Sequence, residues 1–249
     1  NPQKLNQDTI GADSLQLQGN YLYSTIGEIG LIVYDVLNPA SATLISKTPF
    51  KKGIPRDLSV DGRWAVGISN APYSISVLDI TDPKKPVAKD VYEYQEYPNS
   101  VFVKNDYAYV ARGGKGVDIL KINSDGSLKL VKNLPVKNGF ANHAFVSNNQ
   151  LFVVRDGVDV YVLSDLENPI YKMHVNNKGE AVRAAIANNY VYFADGYAGV
   201  TIADLSWNEK ERDYFNHINI GDITLYYYFY FRETRKTNFG RTAFSARRN

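Results

Sequence analysis

Five residues able to bind, polarise or exchange a proton, Asp13, Arg56, Asn99, His143 and Arg183, recur at a regular place along this 249-residue chain. The first four lie eight residues before Tyr21, Trp64, Tyr107 and Leu151, and Arg183 lies seven before Tyr190. A carboxylate, an amide, an imidazole and two guanidiniums brought to one point could grip a polar or anionic group. With His143 as acid or base and an arginine facing developing negative charge, they could also run a hydrolase or lyase reaction. The same side chains could equally satisfy backbone groups at strand ends. Glu28, Arg112, Lys115, Arg155 and Asp195 lie in neighbouring loops that open on the same face if the units are regular, as a binding rim or simply as a solvated one.

Other chemistries lack their residues. Gly113, Gly114, Lys115 and Gly116 have neither the spacing of a phosphate loop nor a Ser or Thr after the lysine, and they join two strands. Asn123, Ser124, Asp125 and Gly126 could open a calcium loop, but its twelfth position is Leu134, where a glutamate is needed. His143, His174 and His217 are too far apart for a local metal pair, so no metal and no cofactor is expected. There is no G-x-S-x-G elbow for a serine nucleophile. With no cysteine, disulfides and thiolate chemistry are excluded.

A formal charge of +2 gives no overall field to attract nucleic acid, and none is expected as a partner. The basic stretch with Arg232, Arg235, Lys236, Arg241, Arg247 and Arg248 is a local exception. No apolar run reaches the ~18 residues of a membrane span. The chain opens on Asn1 rather than Met, which predicts either a removed leader or a piece of a longer protein.

The elements that must position the five residues follow from self-similarity. A glycine opening one strand falls at Gly30, Gly116, Gly157 and Gly199, with Ser74 in its place once, so the markers are 41 to 44 residues apart. Before each marker runs a strand anchored at Tyr21, Trp64, Tyr107, Leu151 or Tyr190, preceded by a turn rich in Asn, Asp and Gly. A shorter alternating strand precedes the turn, and a fourth follows a break such as Asn38-Pro39, Asp82-Pro83 or Asn168-Pro169. Four antiparallel strands per unit of this length make a propeller blade, so the chain reads as an all-β propeller and a single domain. Five blades are clear. A sixth is expected where residues 3–10 and the C-terminal segment meet, although residues 225–249 read either as a degenerate blade or as a non-native tail. Helical periodicity is missing, with Glu209 to Tyr214 the one place for a helical turn.

The marker strands Leu31–Asp35 (LIVYD), Ile75–Asp79 (ISVLD) and Val200–Asp204 (VTIAD) resemble the LVIVD repeat, and so do the hairpins around them, YLYSTIGEIGLIVYDVLNP and YVYFADGYAGVTIADLS. Lys121 and Val162 depart from the closing Asp of that strand, and Ser74 from its Gly. The resemblance covers roughly residues 11 to 210 and implies a propeller of the bacterial or archaeal envelope. It therefore implies export to the periplasm, cell surface or exterior, and it supplies no catalytic motif.

In a propeller the innermost strands line the axis, so Asp13, Arg56, Asn99, His143 and Arg183 are expected to converge on one mouth of the channel. The leading expectation is a non-catalytic binding or scaffold module for a protein or glycan. A hydrolase or lyase at the mouth and a structural block of a larger envelope protein are the alternatives.

Overall fold

The computed structural model describes residues 12–205, except 138, 178, 180 and 189, together with the strand backbones of 213–220 and 223–230. The first sheet holds β1 (Ser14–Gln18), β2 (Tyr21–Ile26), β3 (Gly30–Asp35) and β4 (Thr43–Thr48). The second holds β5 (Pro55–Asp61), β6 (Trp64–Asn70), β7 (Tyr73–Asp79) and β8 (Val87–Glu93). In the third come β9 (Ser100–Lys104), β10 (Tyr107–Ala111), β11 (Val117–Ile122) and β12 (Leu128–Leu134), and in the fourth β13 (His143–Ser147), β14 (Gln150–Arg155), β15 (Gly157–Val162) and β16 (Ile170–Val175). Each of these sheets is an antiparallel meander in chain order.

The fifth sheet begins the same way with β17 (Arg183–Ala187), β18 (Tyr190–Ala194) and β19 (Val200–Asp204). Its remaining places go to β21 (Ile223–Tyr230) and β20 (Asp213–Ile220), with β21 parallel to β19 through Val200 opposite Leu225. Residues 225–230, which the sequence assigns to a sixth unit, thus stand in the fifth sheet. The rest of that unit, 1–11 and 231–249, lies outside the described residues, as does the start of the expected helical turn; Asp213 and Tyr214 belong to β20.

Local sequence explains the hairpins. Between first and second strands the turns use positive φ, at both residues in Asn105 (50°)-Asp106 (62°) and Asn148 (48°)-Asn149 (59°) and at the first residue in Gly19 (58°) and Gly62 (58°), the conformation that Gly, Asn and Asp tolerate. The marker glycine has a separate reason. Gly30, Gly116 and Gly157 also have positive φ, and a Cβ there would run into the carbonyl oxygens of Thr48, Leu134 and Val175 in the fourth strand. Just after each marker the third and fourth strands slip register by one residue, at Val33/Tyr34, Val77/Leu78, Ile119/Leu120 and Val160/Tyr161. A bulge repeated in four sheets adds the same local twist to each.

The marker strands of sheets two to four do not alternate in burial: Ile75, Ser76, Val77 and Leu78 are all buried. Both faces of an interior sheet are covered, as each packs between two neighbours. Four apolar layers result. Tyr23, Leu31 and Val33 meet Leu58 and Val60 between sheets one and two, and Trp64, Val66 and Ile68 meet Val101 and Val103 between two and three. Tyr109 and Ile119 meet Ala144 and Val153 next, and Phe152 and Val160 meet Val191 and Phe193 last. First strands β1, β5, β9, β13 and β17 stand side by side in that order, so their starting ends gather at one mouth.

Candidate functional site

Asp13 is fixed just ahead of β1 by its backbone bond to Thr25, and it reaches Arg56 at 3.4 Å. Arg183, first residue of β17, reaches Asp57 at 3.6 Å, so the first, second and fifth sheets meet in ion pairs at this mouth. Asp57 also accepts from Ser14 Oγ at 3.4 Å and from the Val101 backbone N–H at 3.3 Å. Asn99 donates to the Ala141 carbonyl at 3.0 Å, joining the third sheet to the loop that enters the fourth.

His143, first residue of β13, stacks on Phe145 with ring centroids 5.4 Å apart. Burial, helped by the Arg183 charge, pushes its imidazole down to about 4, so it is neutral at pH 7. Its Nδ1 is buried and has no hydrogen-bond partner among the described residues. A general acid or base works best with a pKa near the working pH and a group to orient it. His143 has neither.

Asp57 is the mouth residue that counting from aromatic anchors misses. Measured from the two-residue turns, the residues in register with His143 and Arg183 are Ser14, Asp57 and Ser100. One effect shifts the count: Gln150, not Leu151, is the counterpart of Tyr107, so a spacing of eight from Leu151 is seven from the true start of that strand. Arg56 itself sits in a bulge between Pro55 and Asp57. The turns Gly62-Arg63, Asn105-Asp106 and Asn148-Asn149 are the signal that would have placed Asp57.

The five rim residues divide. Glu28 is exposed on the loop between β2 and β3, and Lys115 is exposed and pairs with Glu96 at 3.5 Å. The other three turn inward. Arg112 pairs with buried Asp118 at 2.9 Å, and Asn133 donates to the same carboxylate at 2.7 Å. Arg155 and His174 hold buried Asp159, whose burial raises its pKa less than those two partners lower it. Asp195 is fully buried and accepts from Thr201 at 2.8 Å and from Asn177. These carboxylates brace the hairpins from within.

What surrounds the mouth is aromatic. Tyr73 and Tyr97 are each 39% exposed with rings 6.0 Å apart, and Phe140 is 66% exposed. Tyr97 lies close enough to the mouth to feel it: burial raises its pKa, Asp57 adds to the rise, and Arg56 and Arg183 oppose it. Phe140 and Asn99 flank the same point over Gly113. Tyr73 and Tyr97 thus stand beside the paired charges, and Phe140 beside Asn99. No group of side chains suited to a metal exists among the described residues, and no helix among them is long and apolar enough to cross a membrane.

With blades and mouth in place, the decisive comparison is with the repeat itself: residues 11–48, 97–134 and 178–207 match the LVIVD repeat. The chain carries LVIVD repeats. They are associated with propeller folds, as the sheets show. Solved structures similar to this LVIVD propeller agree at the level of the fold. A Lactobacillus plantarum protein matches with a TM-score of 0.61 and 15% identity over 73% of this chain and 61% of that one. Saccharomyces cerevisiae Sqt1 matches with 0.63 and 9% over 80% and 60%. A Bacteroides fragilis protein proposed to be a 6-phosphogluconolactonase matches with 0.58 and 12% over 71% and 60%. This chain thus spans about six tenths of the length of these structures. No curated protein sequence matches it.

Proposed function

We propose that this LVIVD propeller is a non-catalytic, exported binding module that holds a protein partner against the mouth and loops of one face. The observation carrying this reading is the exposure of Tyr73, Tyr97 and Phe140 at a mouth whose charges are already paired. Tyrosine and arginine at the centre of a patch are the side chains that dominate protein interfaces, because they bury much area and offer polar ends. The pairs Asp13–Arg56 and Asp57–Arg183 leave little net charge to strip of water when a partner docks. Against a hydrolase stand the neutral, unoriented His143 and, among the described residues, the absence of a second acid beside it. The fold likeness to a proposed lactonase supplies no catalytic residue to set against that. Export is supported by the repeat's resemblance alone.

The test is site-specific photocrosslinking in the native host, with a benzophenone side chain at Tyr97 and, as control, at Leu130 on an outer strand. A discrete adduct from position 97 that disappears with Phe140→Ala supports the reading. Equal adducts from both positions, or none from 97, overturn it.

A further inference from the structure

A second site lies at the opposite end of the first strands, away from the mouth. Each first strand leads through a two-residue turn into the second strand, and adjacent sheets meet there turn against turn. Between sheets two and three the junction is closed. Buried Trp64 donates from Nε1 to Asp106 at 2.7 Å, while Asp61 holds Lys104 at 2.7 Å and the Asn105 N–H at 2.9 Å.

At the next junction the same positions hold different residues. Tyr107 replaces Trp64, Asn149 replaces Asp106, Lys104 replaces Asp61 and Ser147 replaces Lys104. None of the corresponding ties forms among the described residues, and a cavity of about 320 Å³ opens in their place. Its floor is buried Tyr109 and Leu163, with Tyr107 and Leu166 on the walls. Asn105, Ser147, Asn148 and Asn149 edge the opening, and the left-handed turn at Asn148-Asn149 holds both amide-bearing residues at the rim.

We propose that this cavity binds one neutral sugar ring. Carboxamides and hydroxyls each both donate and accept, which is what sugar hydroxyls require. The tyrosine and leucine walls offer apolar surface to the C–H face of a ring. The one charged lining group, Lys104, is already paired with Asp61, so the site has no unpaired charge to select an anion or a cation. At about 320 Å³ the cavity lies at the small end of the ~300–1,000 Å³ typical of small-ligand pockets, which suits a single ring. The protein-binding face is not involved, so this site stands or falls separately.

The experiment is an amide NMR titration of the protein with the methyl glycosides of glucose, galactose, mannose and N-acetylglucosamine, and with methyl glucuronide as the charged control. At least one of the four neutral glycosides should shift the amides of 104–109 and 146–150 and leave the mouth residues unmoved. Tyr107→Trp with Asn149→Asp, which installs the closed junction's own pair, should weaken that response at least ~10-fold while the melting temperature holds or rises. Asn149→Ala, which fills nothing, should weaken it with the fold intact. Three results would overturn the proposal: no response to any of the four, undiminished binding by the filled variant, or a response to methyl glucuronide alone.

Discussion

The first strands of sheets one and two are built on the same pattern, yet their apolar side chains have opposite fates. Leu58 and Val60 in β5 are each 5% exposed, whereas Leu15 and Leu17, their counterparts in β1, are 61% and 63% exposed. Sequence pattern is the same in both; what differs is the neighbour. Leu58 and Val60 pack on Tyr23, Leu31 and Val33 of the preceding sheet, and β1 has no preceding sheet among the described residues. Tyr190 in the fifth sheet shows the same effect from the other side, exposed where its counterpart Trp64 is buried. Burial in this molecule belongs to the junction between sheets and not to the strand.

The sharpest way to break that comparison is at the aromatic pair. Trp64→Ala should cost about 3 to 5 kcal/mol in urea unfolding, and Tyr190→Ala under about 1. Equal losses would mean that the fifth sheet has a covered face. Next, Leu58→Ala should cost about 2 to 5 kcal/mol and Leu15→Ala within about 0.5 by the same measurement.

The repeats were legible because their glycines and turn residues answer steric demands that recur in each sheet, as at Gly30, Gly116 and Gly157. The mouth was half legible. Asp13, Arg56, Asn99, His143 and Arg183 stand at the starting ends of neighbouring first strands, but Asp57 was hidden because the fourth sheet's second strand starts at Gln150, one residue before the apolar Leu151 that its pattern picks out. The inward turn of Arg112, Arg155 and Asp195 was also illegible, because a charged loop residue looks the same whether it faces water or a buried partner. The match to the LVIVD repeat takes in two of the three marker strands that carried the resemblance, Leu31–Asp35 and Val200–Asp204, leaves Ile75–Asp79 outside, and adds 97–134, where Lys121 departs from the closing Asp.

A third test moves to the mouth. His143 has a folded-state pKa of about 4 against an ordinary value of 6.5, so the unfolded chain takes up its proton first as pH falls. Its contribution is intact above pH 6.5 and is lost as pH drops toward 4, by up to about 3 kcal/mol. Melting temperature followed across that window should fall less steeply in His143→Gln than in the parent. Parallel curves would show that the imidazole is better hydrated than its burial implies. The smallest effect concerns a single cross-sheet bond: Ser59→Ala removes the acceptor of the Val103 N–H at 2.8 Å and should cost about 1 to 2 kcal/mol. Gln18→Ala, which breaks an exposed bond to the Gly62 carbonyl at 2.8 Å, should cost about half a kcal/mol.

The bond from Val103 to Ser59 is one of a series. Gln16 accepts from the Val60 N–H at 2.8 Å, and Asp57, Ser59 and Asp61 accept from the N–H groups of Val101, Val103 and Asn105. Strands β5 and β9 would otherwise present a row of unclaimed donors along the axis, the ready template on which stray extended chains pair and fibrils grow. With side chains of the preceding sheet plugged into that row, these inner strands offer a foreign strand little to hold, and the protein can leave them without a backbone partner on that side without inviting aggregation.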